Sequence, residues 1–127
     1  MKFEIRNGLP FISVTLTNSG QSMTLQNVLI DTGSAGTIFA THLVEEIGLF
    51  YELSDMLQTI SGVGGEEFVF SKVVDKITLN SVAVTRFPIE VGGMDYGFTL
   101  DGIIGTDLLR EVRAIINFDQ LDLAFKL

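Results

Sequence analysis

The residues with the clearest capacity for chemistry are an acid and the small polar residues after it, in the octet Val28-Leu29-Ile30-Asp31-Thr32-Gly33-Ser34-Ala35. The apolar run indicates a buried strand, and a carboxylate at the end of such a strand is costly to remove from water. This position therefore favours a chemical role for Asp31 over a role in solubility.

Other kinds of site have weaker support. A serine or cysteine nucleophile is disfavoured because the chain has no Cys, no Gly-x-Ser-x-Gly motif and a single histidine, His42, without an evident partner. The acids Asp101 and Asp107 match no calcium loop, so no metal is predicted. Gly62-Val63-Gly64-Gly65 lacks the Gly-Lys-Ser/Thr of a phosphate loop, and Glu67 stands where a dinucleotide fingerprint needs glycine. A carboxylate remains as the candidate catalytic group, and no cofactor is expected.

Length and composition predict one globular domain over residues 1–127. The chain has 127 residues, of which 46% are hydrophobic, and no apolar run approaches the roughly 20 residues of a membrane span. Its net charge of -8 opposes nucleic-acid binding. No signal peptide is recognisable and Cys is absent, so we expect a cytoplasmic protein with no membrane partner. An active site that needs two lobes must come from two chains of this size.

The elements that position Asp31 are predicted to be strands. Residues 11–17 alternate between apolar and polar side chains, and Asn18-Ser19-Gly20 then forms a turn. A return strand over residues 23–30 delivers Asp31 into a glycine-containing loop, after which residues 37–40 are extended. Asp31 is thus expected between two strands.

Two short helices are predicted. The first covers residues 41–47, with Thr41 as its N-cap and Gly48 at its C-terminal end. The second covers residues 107–112, with Thr106 as its N-cap and Asp107 in its first turn.

Further strands are expected at residues 66–74, 76–79, 82–91, 113–118 and 121–125, with turns at Asn80-Ser81 and Asp119-Gln120. Residues 59–61 and the start of the 66–74 strand flank the glycine-rich tip and form a hairpin. Many short strands and few helices predict an all-β sandwich or barrel.

Three motifs carry a resemblance to a known family. Asp31-Thr32-Gly33-Ser34-Ala35, Ile60-Ser61-Gly62-Val63-Gly64-Gly65 and Gly102-Ile103-Ile104-Gly105-Thr106-Asp107-Leu108-Leu109 occur in the order seen in the retropepsin-like aspartic proteases, including their bacterial single-domain members. The resemblance spans nearly the whole chain. It implies a closed acid-protease barrel with one or two short helices.

The resemblance also implies an aspartic endopeptidase that works as a homodimer. Each chain then contributes one Asp31, and the two carboxylates share a proton: the charged one acts as base on a water, and the protonated one polarises the scissile carbonyl. In this family the residue at Thr32 bonds across the dimer, and Gly33 lets the two loops approach and donates its N–H. The implied catalytic residues are Asp31, Thr32 and Gly33.

A peptide or protein substrate would lie between the catalytic loop and a flap. The implied binding residues are Ser34 and Ala35, the flap residues Ser61, Gly62, Val63, Gly64 and Gly65, and the pair Ile103 and Ile104. At least one isoleucine is expected in the core and the other in the substrate pocket. The glycine-rich tip could equally be an ordinary hairpin turn. A hydrogen bond from Ser34 to the outer oxygen of Asp31 would give an acid-shifted activity profile.

Several residues depart from the viral members of the family. Ala35 and Gly36 stand where viral enzymes carry acids that bind the substrate backbone, and Thr106 replaces an arginine. Asp107 is expected to supply a different hydrogen bond. Residues 92–101 form a longer segment whose apolar side chains either shape a pocket or pack as a loop, and a C-terminal hairpin could keep the terminal sheet within one chain.

Two functions remain open at this point. The first is the homodimeric endopeptidase, which cleaves at apolar positions. The second is a non-catalytic peptide-binding or assembly module that retains the fold and the acid. Asp101 is disfavoured as an intrachain partner of Asp31, because it lacks a Thr-Gly loop.

Overall fold

The computed structural model describes residues 1–62, 65–94 and 98–126. Within them the strands are β1 (Glu4–Arg6), β2 (Leu9–Asn18), β3 (Gln21–Ile30), β4 (Ile38–Ala40), β5 (Leu57–Gly62), β6 (Gly65–Leu79), β7 (Val82–Gly92), β8 (Gly102–Ile104), β9 (Ile115–Asn117) and β10 (Asp122–Ala124). The helices are α1 (Thr41–Val44), which continues as a 3-10 turn over Glu45–Ile47, and α2 (Thr106–Glu111). In these ranges no helix has the length and apolar character needed to cross a membrane.

Eight of the strands form one sheet that closes on itself. Their order is β1-β2-β3-β8-β4-β7-β6-β5, and β2 also pairs with β6. The closed ring therefore consists of β2, β3, β8, β4, β7 and β6, with β1 and β5 outside it. The β3–β8 and β4–β7 pairs are parallel, and the other pairs in the ring are antiparallel. The predicted all-β class is confirmed.

The ring separates two clusters of apolar side chains, because successive residues of a strand point to opposite faces. On β3 and β8, Ile30 and Ile104 enter the larger cluster, here called the main core, whereas Leu29 and Ile103 face the other way. Together with residues from neighbouring elements these form the second cluster: Phe11, Leu29, Ile38, Ala40, Met94, Leu100 and Ile103.

Strand β6 is longer than predicted. It runs without interruption from Gly65 to Leu79, whereas two strands separated at Asp75 were expected. Asp75 is exposed, its N–H donates to Asn18 Oδ1 at 3.2 Å, and its carboxylate accepts the Ser19 N–H at 2.9 Å. These contacts satisfy the polar groups of Asp75 within the strand, so no break is needed.

Both predicted helix N-caps are wrong by one residue. Thr41 and Thr106 are the first helical residues, the N-caps are Ala40 and Gly105, and neither helix has a side-chain cap hydrogen bond. Each helix follows a strand directly, so the capping position falls on an extended residue. The C-terminal prediction for the first helix is confirmed, because Gly48 takes a left-handed conformation with φ of 88°.

The C-terminal strands pair with each other and with the N-terminus of the same chain. β9 and β10 are antiparallel, and Lys2 bridges to Asp122. The Met1 ammonium donates to Leu123 O at 2.8 Å and to Asp122 Oδ1 at 3.3 Å. This small sheet is therefore completed within one chain, as predicted.

Candidate active site

Asp31 lies directly after β3, at the end of the parallel β3–β8 pair. Its N–H donates to Ile104 O at 3.0 Å, which extends that pairing by one residue. The side chain is half-buried, and the Gly33 N–H donates to Asp31 Oδ1 at 2.9 Å. Thr32 and Gly33 themselves are exposed. The three predicted catalytic residues thus form one surface turn that holds the carboxylate in a defined orientation.

The rest of the Asp31 loop, residues 31–37, is stabilised by its own hydrogen bonds. The Ser34 N–H donates to Asp31 O at 3.2 Å, and Ser34 Oγ donates to Gly36 O at 2.7 Å. A hydroxyl has one proton to donate, so Ser34 does not donate to the Asp31 carboxylate here. The predicted Ser34–Asp31 hydrogen bond is therefore wrong, because Ser34 Oγ donates its proton to the carbonyl oxygen of Gly36.

Thr37 anchors the loop to α2. This fully buried residue donates from Oγ1 to Asp107 Oδ1 at 2.7 Å and from its N–H to Asp107 Oδ2 at 3.3 Å. The same hydroxyl accepts the Gly105 N–H at 3.1 Å. Asp107 therefore does supply a hydrogen bond behind the loop. The sequence analysis missed Thr37, whose only signal was a polar residue at the start of an apolar strand.

The Gly102–Leu109 motif packs closely against the Asp31 loop. The Thr106 N–H donates to Ser34 O at 2.8 Å. A Cβ atom built on Gly105 would collide with the backbone of Gly36, so a side chain cannot be placed there without moving the loop. Only glycine permits this approach, and the Asp31 loop is consequently held against a rigid support.

The two isoleucines of this motif have different environments. Ile104 is fully buried in the main core, whereas Ile103 belongs to the second cluster and pairs with Leu29 and Ile38 on the neighbouring strands. The second cluster lies on the side of the sheet to which the β5–β6 hairpin also contributes, since Ile60 packs against it. Ile104 thus lies in the main core, and Ile103 is buried in the second cluster on the opposite face.

The predicted flap coincides with the β5–β6 hairpin. Its strands pair from Leu57↔Phe70 to Gly62↔Gly65, and Ser61 pairs with Glu66. Val63 and Gly64 lie outside the described residues. The hairpin therefore reaches the second cluster through Ile60, and Ala35 is exposed on the Asp31 loop.

The segment that follows β7 has both buried and exposed apolar side chains. Met94 and Leu100 are buried in the second cluster, and Phe98 is exposed. Tyr96 lies outside the described residues. Met94 and Leu100 thus pack within the second cluster.

Sequence reasoning also missed an acid beside the loop. Glu90 of β7 is half-buried, and a Cβ atom built on Gly36 would lie 3.2 Å from its Oε1. Gln58 Nε2 donates to Glu90 Oε1 at 3.3 Å. Burial, and then the negative charge of Asp107, raise the pKa of Glu90 above its ordinary value. The available signal was a charged residue between the buried residues Ile89 and Val91 near the end of β7.

The Asp101 carboxylate is hydrogen-bonded to Asn27 of β3. Its Oδ2 accepts the N–H of Asn27 at 3.1 Å and the side-chain amide of Asn27 at 3.2 Å.

Among the described residues no group of three or more His, Cys, Asp or Glu side chains is arranged to hold a metal. A cavity of about 330 Å³ between the chain termini and the β6–β7 turn shares no lining residue with the Asp31 loop.

The closed ring, the loop at the end of β3 and the glycine motif behind it define a retropepsin-like fold. The chain is similar to the crystal structure of the retroviral protease-like domain of Ddi1 from Leishmania major, with a TM-score of 0.64 and 17% identity over 93% of this chain and 88% of that one. At this identity the likeness shows the fold alone.

A family comparison gives the more specific assignment. The family model described as aspartyl protease matches residues 13–108, which include the Asp31 loop and the Gly102–Leu109 motif as far as Leu108. The chain therefore belongs to this aspartyl protease family. Comparison with curated proteins gave no match.

Proposed function

We propose that this protein is an aspartic endopeptidase that acts as a homodimer, each subunit being a single domain over residues 1–127. The observation that carries the proposal is the fixed Asp31 carboxylate. The Gly33 N–H orients it at 2.9 Å, and the buried Thr37–Asp107 hydrogen bond at 2.7 Å holds the loop from behind. Family membership supports a hydrolytic role for a carboxylate so placed.

The proposed mechanism needs a second carboxylate, which a second chain would provide. Asp101 is bonded to Asn27 and is not available within the chain. Thr32 and Gly33 are exposed beside Asp31, so a twofold axis next to this turn would bring two Asp31 side chains together. Thr32 would then bond across the axis to the partner loop.

Two adjacent carboxylates share one proton, since both cannot remain charged at close range without strong repulsion. The charged Asp31 removes a proton from water, and the water oxygen attacks the peptide carbonyl carbon. The protonated Asp31 stabilises the carbonyl oxygen as it gains charge. Proton transfer to the amide nitrogen then allows the C–N bond to break, which yields one new carboxyl group and one new amine.

The substrate is proposed to bind as an extended peptide between the Asp31 loop and the β5–β6 hairpin. The backbone of Ser61 to Gly65 offers hydrogen bonds to it in the manner of an added strand. Ser34 and Ala35 border the peptide on the loop side, and Ile103 contributes to an apolar floor. Cleavage next to apolar side chains is expected.

The test is cleavage of a peptide library by wild-type protein and Asp31→Asn from acidic to neutral pH. We expect wild-type cleavage and a loss of about a thousandfold in Asp31→Asn, because general acid and base catalysis are both removed. Asp119→Asn makes the same chemical change at an exposed turn and is expected to retain activity. Equal cleavage by wild type and Asp31→Asn would contradict the proposal. Peptide binding without cleavage by either protein would favour the peptide-binding module.

A further inference from the structure

The clearest feature that the proposed mechanism does not use is Glu90, which lies on the same side of the sheet as the second cluster. In the β4–β7 pair Glu90 is the register partner of Ile38, and in the β4–β8 pair Ile38 is the partner of Ile103. Side chains of register partners share one face of a sheet. Glu90 therefore borders the apolar floor formed by Ile38 and Ile103.

The carboxylate also occupies the space beside the Asp31 loop. Gly36 has no side chain, and the position that its Cβ would take lies 3.2 Å from Glu90 Oε1. An acid thus reaches this point from β7, although the loop itself carries only Ala35 and Gly36 there.

The surroundings of Glu90 leave its charge without a cation. None of the ion pairs recorded in the described part of the chain includes Glu90, and its hydrogen-bond donor is the neutral amide of Gln58. Burial and the nearby Asp107 both raise the pKa of Glu90, which means that the charged form is disfavoured where it stands. A cation at this point would relieve both effects.

We propose that Glu90 is a specificity-determining residue that binds a lysine or arginine side chain of the substrate, at one peptide position beside the apolar subsites. This inference rests on the proposed function, because it places the peptide over the Asp31 loop. The net charge of -8 would add a general attraction for cationic peptides, whereas Glu90 would select the position of the basic residue.

The experiment compares peptides that differ at one position, where lysine is exchanged for norleucine, which has a similar apolar stem and no charge. The position is scanned along a cleaved sequence, and kcat/KM is measured for each pair. At one position we expect wild type to favour lysine by about tenfold, the size of a charge-assisted hydrogen bond. Glu90→Gln should abolish that preference, and Glu46→Gln, which removes an exposed charge on another element, should retain it.

A second measurement, the salt dependence of the lysine preference, uses the wild-type protein alone. The lysine preference of wild type should shrink as salt is raised, because the half-buried ion pair is partly screened. Cleavage without a lysine preference at any position would overturn the inference while leaving the proposed protease intact. The same preference in Glu90→Gln as in wild type would also overturn it.

Binding of the same peptide pairs to Asp31→Asn distinguishes failure of the protease proposal from failure of the Glu90 proposal. If wild type does not cleave but Asp31→Asn binds the lysine peptide about tenfold more tightly, and Glu90→Gln introduced beside it removes this difference, the Glu90 subsite stands and catalysis fails. If there is neither cleavage nor binding, both proposals are overturned.

Discussion

Replacing Thr37 by valine tests whether the buried hydroxyl anchors the Asp31 loop. Valine has nearly the same shape, but it loses the hydrogen bond to the Asp107 carboxylate at 2.7 Å and leaves the Gly105 N–H without its acceptor at 3.1 Å. A bond to a charged group contributes about 1.5–3 kcal/mol, and an unpaired buried donor costs about 1–3 kcal/mol. Because the two effects share one hydroxyl and are not additive, we expect the free energy of unfolding to fall by about 3 kcal/mol.

The assay is urea unfolding followed by circular dichroism, with thermal unfolding as a second readout. A loss of about 3 kcal/mol corresponds to a decrease of about 10 °C in Tm for a domain of this size. Thr85→Val makes the same substitution at an exposed strand position and should change stability by less than about 0.5 kcal/mol. If Thr37→Val costs no more than Thr85→Val, the anchoring role is refuted.

Three further predictions concern the loop, the Lys72–Asp55 ion pair and the two isoleucines. Ser34→Ala should leave the pH–rate profile in place, because the hydroxyl donates within the loop and not to the Asp31 carboxylate; a shifted profile would contradict the geometry. Lys72 donates to Asp55 at 2.9 Å and lowers the pKa of that carboxyl below its ordinary value of 3.8. The pair therefore stabilises the fold above that value and is lost as pH falls through the lowered pKa, so urea unfolding of wild type and Asp55→Asn should converge at low pH. A constant difference in stability would contradict this. Ile103→Val and Ile104→Val should each cost about 0.5–1.5 kcal/mol in unfolding, but only Ile103→Val should change which peptide side chains are preferred; equal changes in both would contradict the separate environments.

Features encoded by neighbouring residues could be predicted from the sequence. The β2–β3 hairpin follows from the alternation of residues 12–17 in β2 and a turn at Ser19 and Gly20, both of which take positive φ values. The strand that delivers Asp31 is predicted as the return strand of this hairpin. The break expected at Asp75 was wrong, because contacts from the distant turn satisfy its polar groups inside β6.

Features that depend on distant residues could not be predicted. Thr37 and Asp107 are 70 positions apart, and nothing local to Thr37 shows that its hydroxyl will be buried against a carboxylate. Glu90 resembles an ordinary solvent-facing charge until the ring brings Gly36 beside it. The Ser34 prediction failed because the competing acceptor, Gly36 O, becomes available only in the folded loop.

Subunit mixing tests whether each active site uses Asp31 from two chains, as proposed above. Wild-type protein is refolded from denaturant with about a ninefold excess of Asp31→Asn, so that nearly every wild-type chain pairs with a mutant chain. If the site is shared, activity per wild-type chain falls to about one tenth of its unmixed value. Activity per wild-type chain that stays unchanged at every mixing ratio would show that one Asp31 suffices and would contradict the shared site.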